Sequence, residues 1–238
     1  MVERSHYGQL ALLFDYPDEQ LPLHAQALLT RLEGDYPEAA EALERFVVLL
    51  PGEGNALTRT EKDEIQELFT RSFQVQAVTT LDVGYIAFGD DYKRAELLVN
   101  LNREHRIVGV DCGSELSDHL PNVLRLLVGW ADEEMCEEFV DLILHPSLER
   151  MVEEFDSRRI AARNKLYKKH HKTLIVTSQM RATMFQHALK ALLEVVRADF
   201  RLEECSKPEK TSDFLRNIGR EMDIEARGAG HRPSTARI

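Results

Sequence analysis

Apolar residues return every three or four positions through almost the whole chain, and no other feature restricts its fold as strongly. Met184, Phe185, Ala188, Leu189, Leu192, Val195 and Val196 would lie on one side of a single helix. Leu120, Leu124 and Leu127 would line another. No pair of alternating segments is joined by a hairpin turn, and the β-branched stretch 74–80 is short enough to be a connection. With only 12 Gly and 8 Pro in 238 residues, the chain lacks the turn residues of an all-β protein, whereas Leu, Ala, Glu and Arg abound. The spacing predicts an all-α fold, a single-domain multi-helix bundle of about nine or ten helices, without four-helix symmetry.

The first predicted helix carries Leu10, Leu13 and Phe14 on one face and stops before Pro17. Others are predicted over 21–32, 38–50 and 91–106, with Pro51-Gly52-Glu53-Gly54 a loop. Thr60 and Asp63 have the spacing of a capping box for a helix bearing Ile65, Leu68, Phe69 and Phe73. Ser114 or Ser117 is expected to cap the helix containing Pro121, which a first turn tolerates. Further helices are expected over 132–144, 147–170 and 173–204. Residues 1–205 read as one helical domain and 206–238 as a polar tail, disordered beyond Asp223, with a short docking helix over 212–221.

Net charge is −11. The tail holds 7 Lys and Arg against 5 Asp and Glu, which leaves residues 1–205 at −13. Such a body repels nucleic acid and favours cationic partners. Cys112, Cys136 and Cys205 form no CxxC pair, the pattern of a reducing compartment. No apolar run reaches the roughly 18–20 residues of a membrane span, and the N-terminus lacks the features of a signal peptide. A cytoplasmic protein without membrane insertion is expected.

Few residues suggest chemistry. Glu115-Leu116-Ser117-Asp118-His119-Leu120-Pro121 places two carboxylates and a histidine at the entrance of an apolar helix. The plain reading is capping, with Asp118 in the first turn where the helix dipole favours a carboxylate. The functional reading is a polar entrance that accepts guanidinium forks. His170, His171 and His187 come without HExxH or a carboxylate triad, so no metal is expected. Cys112 and His119 form a weak candidate for a metal or nucleophilic pair. Ser157-Arg158-Arg159-Ile160 copies a twin-arginine motif but lacks the apolar run that should follow. Asp132-Glu133-Glu134 suits a helix start, and Trp130 reads as core. No P-loop, Rossmann or GxSxG signature is present.

Three segments together resemble a known family. Glu115–Pro121 is similar to Glu-Leu-Pro-Asp-His/Tyr-Leu-Pro, with Ser117 where Pro is usual. Phe88-Gly89-Asp90-Asp91-Tyr92-Lys93-Arg94 resembles an acidic helix start ending in Arg, with Ala95 in place of a customary Gly. Leu12-Leu13-Phe14-Asp15-Tyr16-Pro17-Asp18-Glu19 looks like an opening Leu-Leu-x-Tyr-Pro-Asp-Glu. In this order and spacing they resemble the cytoplasmic maturation chaperones of molybdenum enzymes, the nitrate-reductase delta-subunit (NarJ) and TorD-like family, over roughly residues 5–145.

The resemblance implies a dedicated chaperone, not an enzyme, without a cofactor of its own. Its partner would be the apo catalytic subunit of a molybdopterin-dependent oxidoreductase of the DMSO reductase family, with that subunit's twin-arginine signal peptide where it carries one. The chaperone would hold the subunit open for cofactor insertion, as a monomer or a homodimer. Glu115, Leu116, Asp118, His119, Leu120 and Pro121, with Tyr85, Asp90 and Arg94, are the expected client-binding residues. Asp118→Asn would then weaken binding without disturbing the fold. Two alternatives are a helical adaptor for an unrelated partner and a metal-dependent all-α hydrolase using Glu115, Asp118 and His119. Deletion of residues 224–238 should lower the unfolding midpoint only slightly, because little apolar surface goes with them. A loss of several kcal/mol in denaturant titrations would make the tail integral to the core.

Overall fold

The computed structural model describes residues 4–52, 54–161 and 183–203. Among them the chain is all-helical and contains no β-strand. The helices are α1 (His6–Ala11), α2 (Leu21–Leu32), α3 (Pro37–Leu49), α4 (Arg59–Phe73), α5 (Val83–Phe88), α6 (Tyr92–Val108), α7 (Leu120–Gly129), α8 (Glu133–Phe139), α9 (His145–Glu154) and α10 (Met184–Phe200). No described helix is long and apolar enough to cross a membrane.

Helix α10 is the axis of the core. It packs most extensively on α3 and then on α9, and all seven residues of its predicted stripe are buried. Phe185 sits at the centre of an aromatic cluster. Its ring centroid lies 5.6 Å from Phe46 on α3, and 5.5 and 5.4 Å from Phe69 and Phe73 on α4. The last two meet it edge-on, the favourable quadrupole geometry. Phe155, just after α9, closes the cluster against Phe73.

A buried polar cluster ties the chain's start to the end of α10. Asp199 contacts His6 Nε2 at 2.8 Å and accepts from the Tyr36 hydroxyl at 2.6 Å. Burial acts against the Asp199 charge, yet the hydrogen bonds from His6 and Tyr36 hold its carboxyl below the usual range.

Several boundaries differ from the sequence expectations. The capping box of α4 uses Thr58 and Glu61, not Thr60 and Asp63. Thr58 has extended backbone (φ −64°, ψ 165°), so its hydroxyl accepts from the Glu61 N–H at 3.4 Å while Glu61 accepts from the Thr58 N–H at 2.9 Å. Thr60 already lies inside the helix. Residues 133–154 run without a break, where two helices separated at 145–146 were expected. A π-turn at Val140–Leu144 joins α8 to α9, and the His145 N–H bonds to the Val140 carbonyl five residues back. That wider turn takes up the Pro146 ring, which would clash with a carbonyl in a regular helix. Helix α9 ends at Glu154, and after a break at 155–156 the described residues 157–161 are helical again, so the helix expected over 147–170 is interrupted there. The expected helical stretches 162–170 and 173–182, His170 and His171, Cys205 and the tail 206–238 with its helix over 212–221 lie outside the described residues.

Burial also sets an acid sensitivity. His105 is buried among α6 and α7, and desolvation pushes its imidazole below the ordinary 6.5. His145 is likewise lowered by burial, with Glu149 opposing and Arg197 assisting. Arg197 donates to His145 Nε2 at 3.4 Å and to Glu149 at 2.7 Å, which requires a neutral imidazole. Both histidines stay neutral in the fold but protonate freely when unfolded, so their stabilising effect is complete above about pH 6.5 and drains away below it. Denaturant titrations should therefore show a falling midpoint between roughly pH 7 and pH 5.5. A flat profile across that window would contradict this account.

Candidate functional site

The entrance of α7 is built around Asp118. Its side chain has no exposed surface, and its carboxylate faces α6 rather than solvent. Arg94, on the first turn of α6, donates from Nε to Asp118 Oδ2 at 2.9 Å and from Nη2 to Asp82 Oδ2 at 3.0 Å. His119 Nδ1 lies 3.1 Å from the other Asp82 oxygen. The backbone follows the same line: Asp82 and His119 form an isolated antiparallel bridge, with Val83 N–H to Asp118 O at 2.9 Å and Leu120 N–H to Leu81 O at 2.8 Å. Two carboxylates thus share one guanidinium and one imidazole across three chain segments.

Charge distribution follows from this geometry. The hydrogen bond from His119 holds the Asp82 carboxyl below its usual range, with Arg94 assisting. Burial pushes the Asp118 carboxyl up, against the pull of Arg94. The Arg94 guanidinium also lies 5.4 Å over the Tyr85 ring, a cation–π contact.

Gly84 makes the approach possible. A Cβ there would lie 2.6 Å from Asp118 Oδ2 and 2.9 Å from Leu97 Cδ2, so any side chain would push α5 away from the pair. Gly109 ends α6 in the left-handed region (φ 78°), which turns the chain back toward α7. The 109–119 connection is then pinned from within. Asn122 donates to the carbonyls of Leu116 and Cys112 at 3.0 and 3.3 Å, and His105 Nε2 bonds the Ser117 carbonyl at 3.0 Å.

Neither expected cap operates. The Ser117 hydroxyl is turned to the Leu98 carbonyl of α6 at 3.1 Å, and α7 starts at Leu120 with His119 as an N-cap whose side chain makes no capping bond, being turned to Asp82 instead. Asp118 precedes the first turn, so it is an ion-pair anchor and not a dipole cap. Pro121 does occupy the first turn, as expected.

The predicted residues therefore divide. Asp118 and Leu120 are fully buried, and Leu120 belongs to the core, so neither presents a surface. Arg94 is mostly enclosed by its own carboxylates. Tyr85 (43% exposed), Leu116 (49%), Glu115 and Asp90 are outside. Asp90 stands in the exposed turn before α6, apart from the Arg94 network. Glu115 and Asp118 face different environments, and the three-residue set expected for a hydrolase does not converge. Among the described residues, no group of three or more His, Cys, Asp or Glu could hold a metal ion.

A cleft of ≈ 270 Å³ opens where the α6–α7 connection meets the turn after α1. Asp15, Tyr16, Phe69, Glu115, His119 and Arg125 line it, with Cys112. Tyr16 is 55% exposed and meets Phe69 edge-on at 5.7 Å. Asp15 is ion-paired with Arg125 of α7, and Gln66 of α4 holds the Pro17 carbonyl at 2.7 Å, so the Tyr16 turn is fastened on both sides. Burial and the Asp111 charge raise the Cys112 thiol, which keeps it protonated and poorly nucleophilic. The cleft can bind through aromatic faces and carboxylates. A larger cleft, ≈ 530 Å³, lies between α3, α9 and α10, where Arg45 pairs with Glu41 and Arg197 with Glu149 and Glu194. It contains none of the predicted residues.

Sequence reasoning missed Asp82, Gly84, Tyr16 and Arg125 as site residues. Tyr16 lay within a segment singled out for its resemblance. Asp82 and Gly84 had only a weak signal, an acid and a glycine at the start of a short helix. The internal twin-arginine look-alike is occupied locally: Arg158 pairs with Asp156, and Arg159 with Glu153 and Glu154.

No family model matches the chain, and no curated protein matches it in sequence. The geometry makes its own prediction. Arg94→Met should cost about 3 kcal/mol, because it strands a buried carboxylate, and Gly84→Ala about 1–3 kcal/mol through overpacking. The earlier expectation for Asp118→Asn changes too, since the buried pair would lose its charge and the fold would weaken with it. Equal unfolding midpoints for wild type and Arg94→Met would refute the anchoring role.

Proposed function

We propose that the chain is a maturation chaperone that binds the apo catalytic subunit of a molybdopterin-dependent oxidoreductase in the cytoplasm. It would work by differential binding, with affinity for the open, cofactor-free client that is lost once the client closes. The observation that carries this reading is convergence. The segment Leu12–Glu19 contributes Asp15 and Tyr16 to the small cleft, and the segment Glu115–Pro121 contributes Glu115, His119 and Pro121 to the same cleft. The third segment, ending at Arg94, grips Asp118 from behind. Segments nearly a hundred residues apart that resemble one family thus meet around one opening.

The chemistry of that opening supports a cationic, partly apolar client segment. Glu115 offers an exposed carboxylate to a guanidinium, Tyr16 a ring face for cation–π or apolar contact, and Leu116 an apolar edge. The net charge of −11 steers such a segment toward the protein. Asp118 and Arg94 support this surface from beneath instead of touching the client. Of the nine residues expected to bind the client, Glu115, His119 and Pro121 line this cleft together with Tyr16, and Leu116 is exposed next to Glu115.

Glu115→Gln and Tyr16→Ala alter the rim without reaching the buried pair. Each should weaken binding of the apo catalytic subunit by about tenfold, on the order of one charged or aromatic contact, with melting curves unchanged. Isothermal titration against the purified apo subunit measures this. Wild-type affinity in both folded variants would remove the cleft from the mechanism.

A further inference from the structure

The larger cleft has no part in the proposed function. Helices α3 and α9 both pack on α10, and all three line the groove of ≈ 530 Å³ between them. Ala42, Val152 and Leu193, one from each helix, are its apolar lining, and the remaining lining residues are charged. An apolar centre within a charged rim is the anatomy of an interface. Most of the rim is paired within the groove, Arg45 with Glu41 and Arg197 with Glu149 and Glu194. Among the described residues, the side chains of Glu38 and Lys190 have no such partner.

These two charges stand at opposite ends. Helix α10 runs antiparallel to both walls. On α3, Tyr36 meets Asp199 and Phe46 meets Phe185; on α9, Glu149 meets Arg197 and the Val152 carbonyl meets Gln186. Glu38 therefore lies beside the last turns of α10, and Lys190 about two turns nearer its start. The chain itself leads into the Glu38 end. After Phe200 it turns at Arg201, which is left-handed (φ 54°, ψ 46°), and the Leu202 N–H bonds back to the carbonyl of Arg197, a lining residue, at 3.0 Å. Residues 206–238 contain one amphipathic segment, in which Phe214, Leu215, Ile218 and Met222 recur at helical spacing. At about 100° per residue, Lys210 and Glu221 fall in the same stripe, about 140° wide. Running back against α10, that stripe brings a cation to Glu38 first and a carboxylate to Lys190 last. Residues 203–209 reach about 23–25 Å when extended, enough for the return.

We propose that the groove between α3 and α9 is the docking site of this chain's own residues 210–222, which lie in it as a helix antiparallel to α10. Phe214, Leu215 and Ile218 cover Ala42, Val152 and Leu193, Lys210 pairs with Glu38, and Glu221 pairs with Lys190. The apolar anchors supply the adhesion, and the two end charges fix direction and register more than affinity. Neither the small cleft nor any client enters into this contact. Residues 224–238 lie beyond the docked segment, in keeping with the small effect expected of their deletion.

Hydrogen–deuterium exchange of the full chain tests this. Amides of residues 214–222 should exchange about tenfold or more slowly than in a synthetic peptide of residues 206–226. Ala42→Glu sets a charge in the apolar centre of the groove and should abolish that protection. Lys190→Glu should lower it several-fold, as should Glu221→Lys. The double variant K190E/E221K restores opposite charges and should recover most of the loss. Amides of α10 in the same experiment report whether each variant is folded, and Glu221→Lys changes no residue of the groove should Ala42→Glu disturb α3. Wild-type amides over 214–222 that exchange as fast as the peptide overturn the proposal. So does protection indifferent to Ala42→Glu in a folded chain, or a folded double variant no better protected than the singles.

Discussion

The buried pair of Arg94 and Asp118 is the constraint on which this end of the molecule depends. A carboxylate without exposed surface is costly unless a cation and further hydrogen bonds compensate it. Here one guanidinium spans Asp118 and Asp82, and the imidazole of His119 completes the Asp82 shell. The consequence is geometric. Because the pair sits between α5, α6 and the entrance of α7, those three elements share one permitted arrangement, and Gly84 is the residue small enough to allow it. Asp82 and His119 then close the short backbone bridge that holds the α6–α7 connection to α5.

This internal anchoring changes how the most suggestive motif is understood. Carboxylates at a helix entrance look like a ready receptor for arginine. In Asp118 that receptor is already filled, by an arginine of the same chain. What faces outward is the residue three positions earlier, Glu115, together with Leu116 and the rim contributed by His119. The buried half of the motif supplies rigidity and the exposed half supplies chemistry. Preorganisation of this sort lowers the ordering cost that binding would otherwise carry.

The rest of the bundle serves the same end through packing. Phe185 draws α3, α4 and α10 together, and α4 in turn supports Phe69 beneath Tyr16 and holds the Pro17 carbonyl through Gln66. The Asp199 cluster fixes the start of α1, whose far end leads into the Tyr16 turn. The cleft is thus a rigid seam between a core assembled around α10 and a corner assembled around Arg94.

The division between sequence and structure follows the range of the forces involved. Helix existence was legible because a 3.6-residue apolar period is a local signal, and α2 and the stripes of α7 and α10 follow from it directly. Local chemistry was legible where one neighbourhood decides it, as in Asp132 at the start of α8, whose carboxylate accepts from the Met135 N–H. Continuity through Pro146 was not, because a π-turn leaves no periodic trace. The capping choice at Thr58 was not, since Thr60 offers the same residue type at similar spacing and only the backbone angles separate them. Above all, sequence could place Asp118 near a helix start but could not say which way it faces. Its partner Arg94 is 24 residues away, Asp82, which shares that guanidinium, is 36 away, and a charge is buried or presented according to what folds against it. Helicity and acidity were written in the chain itself; which carboxylates face outward and which hold the molecule together was decided only when distant segments met.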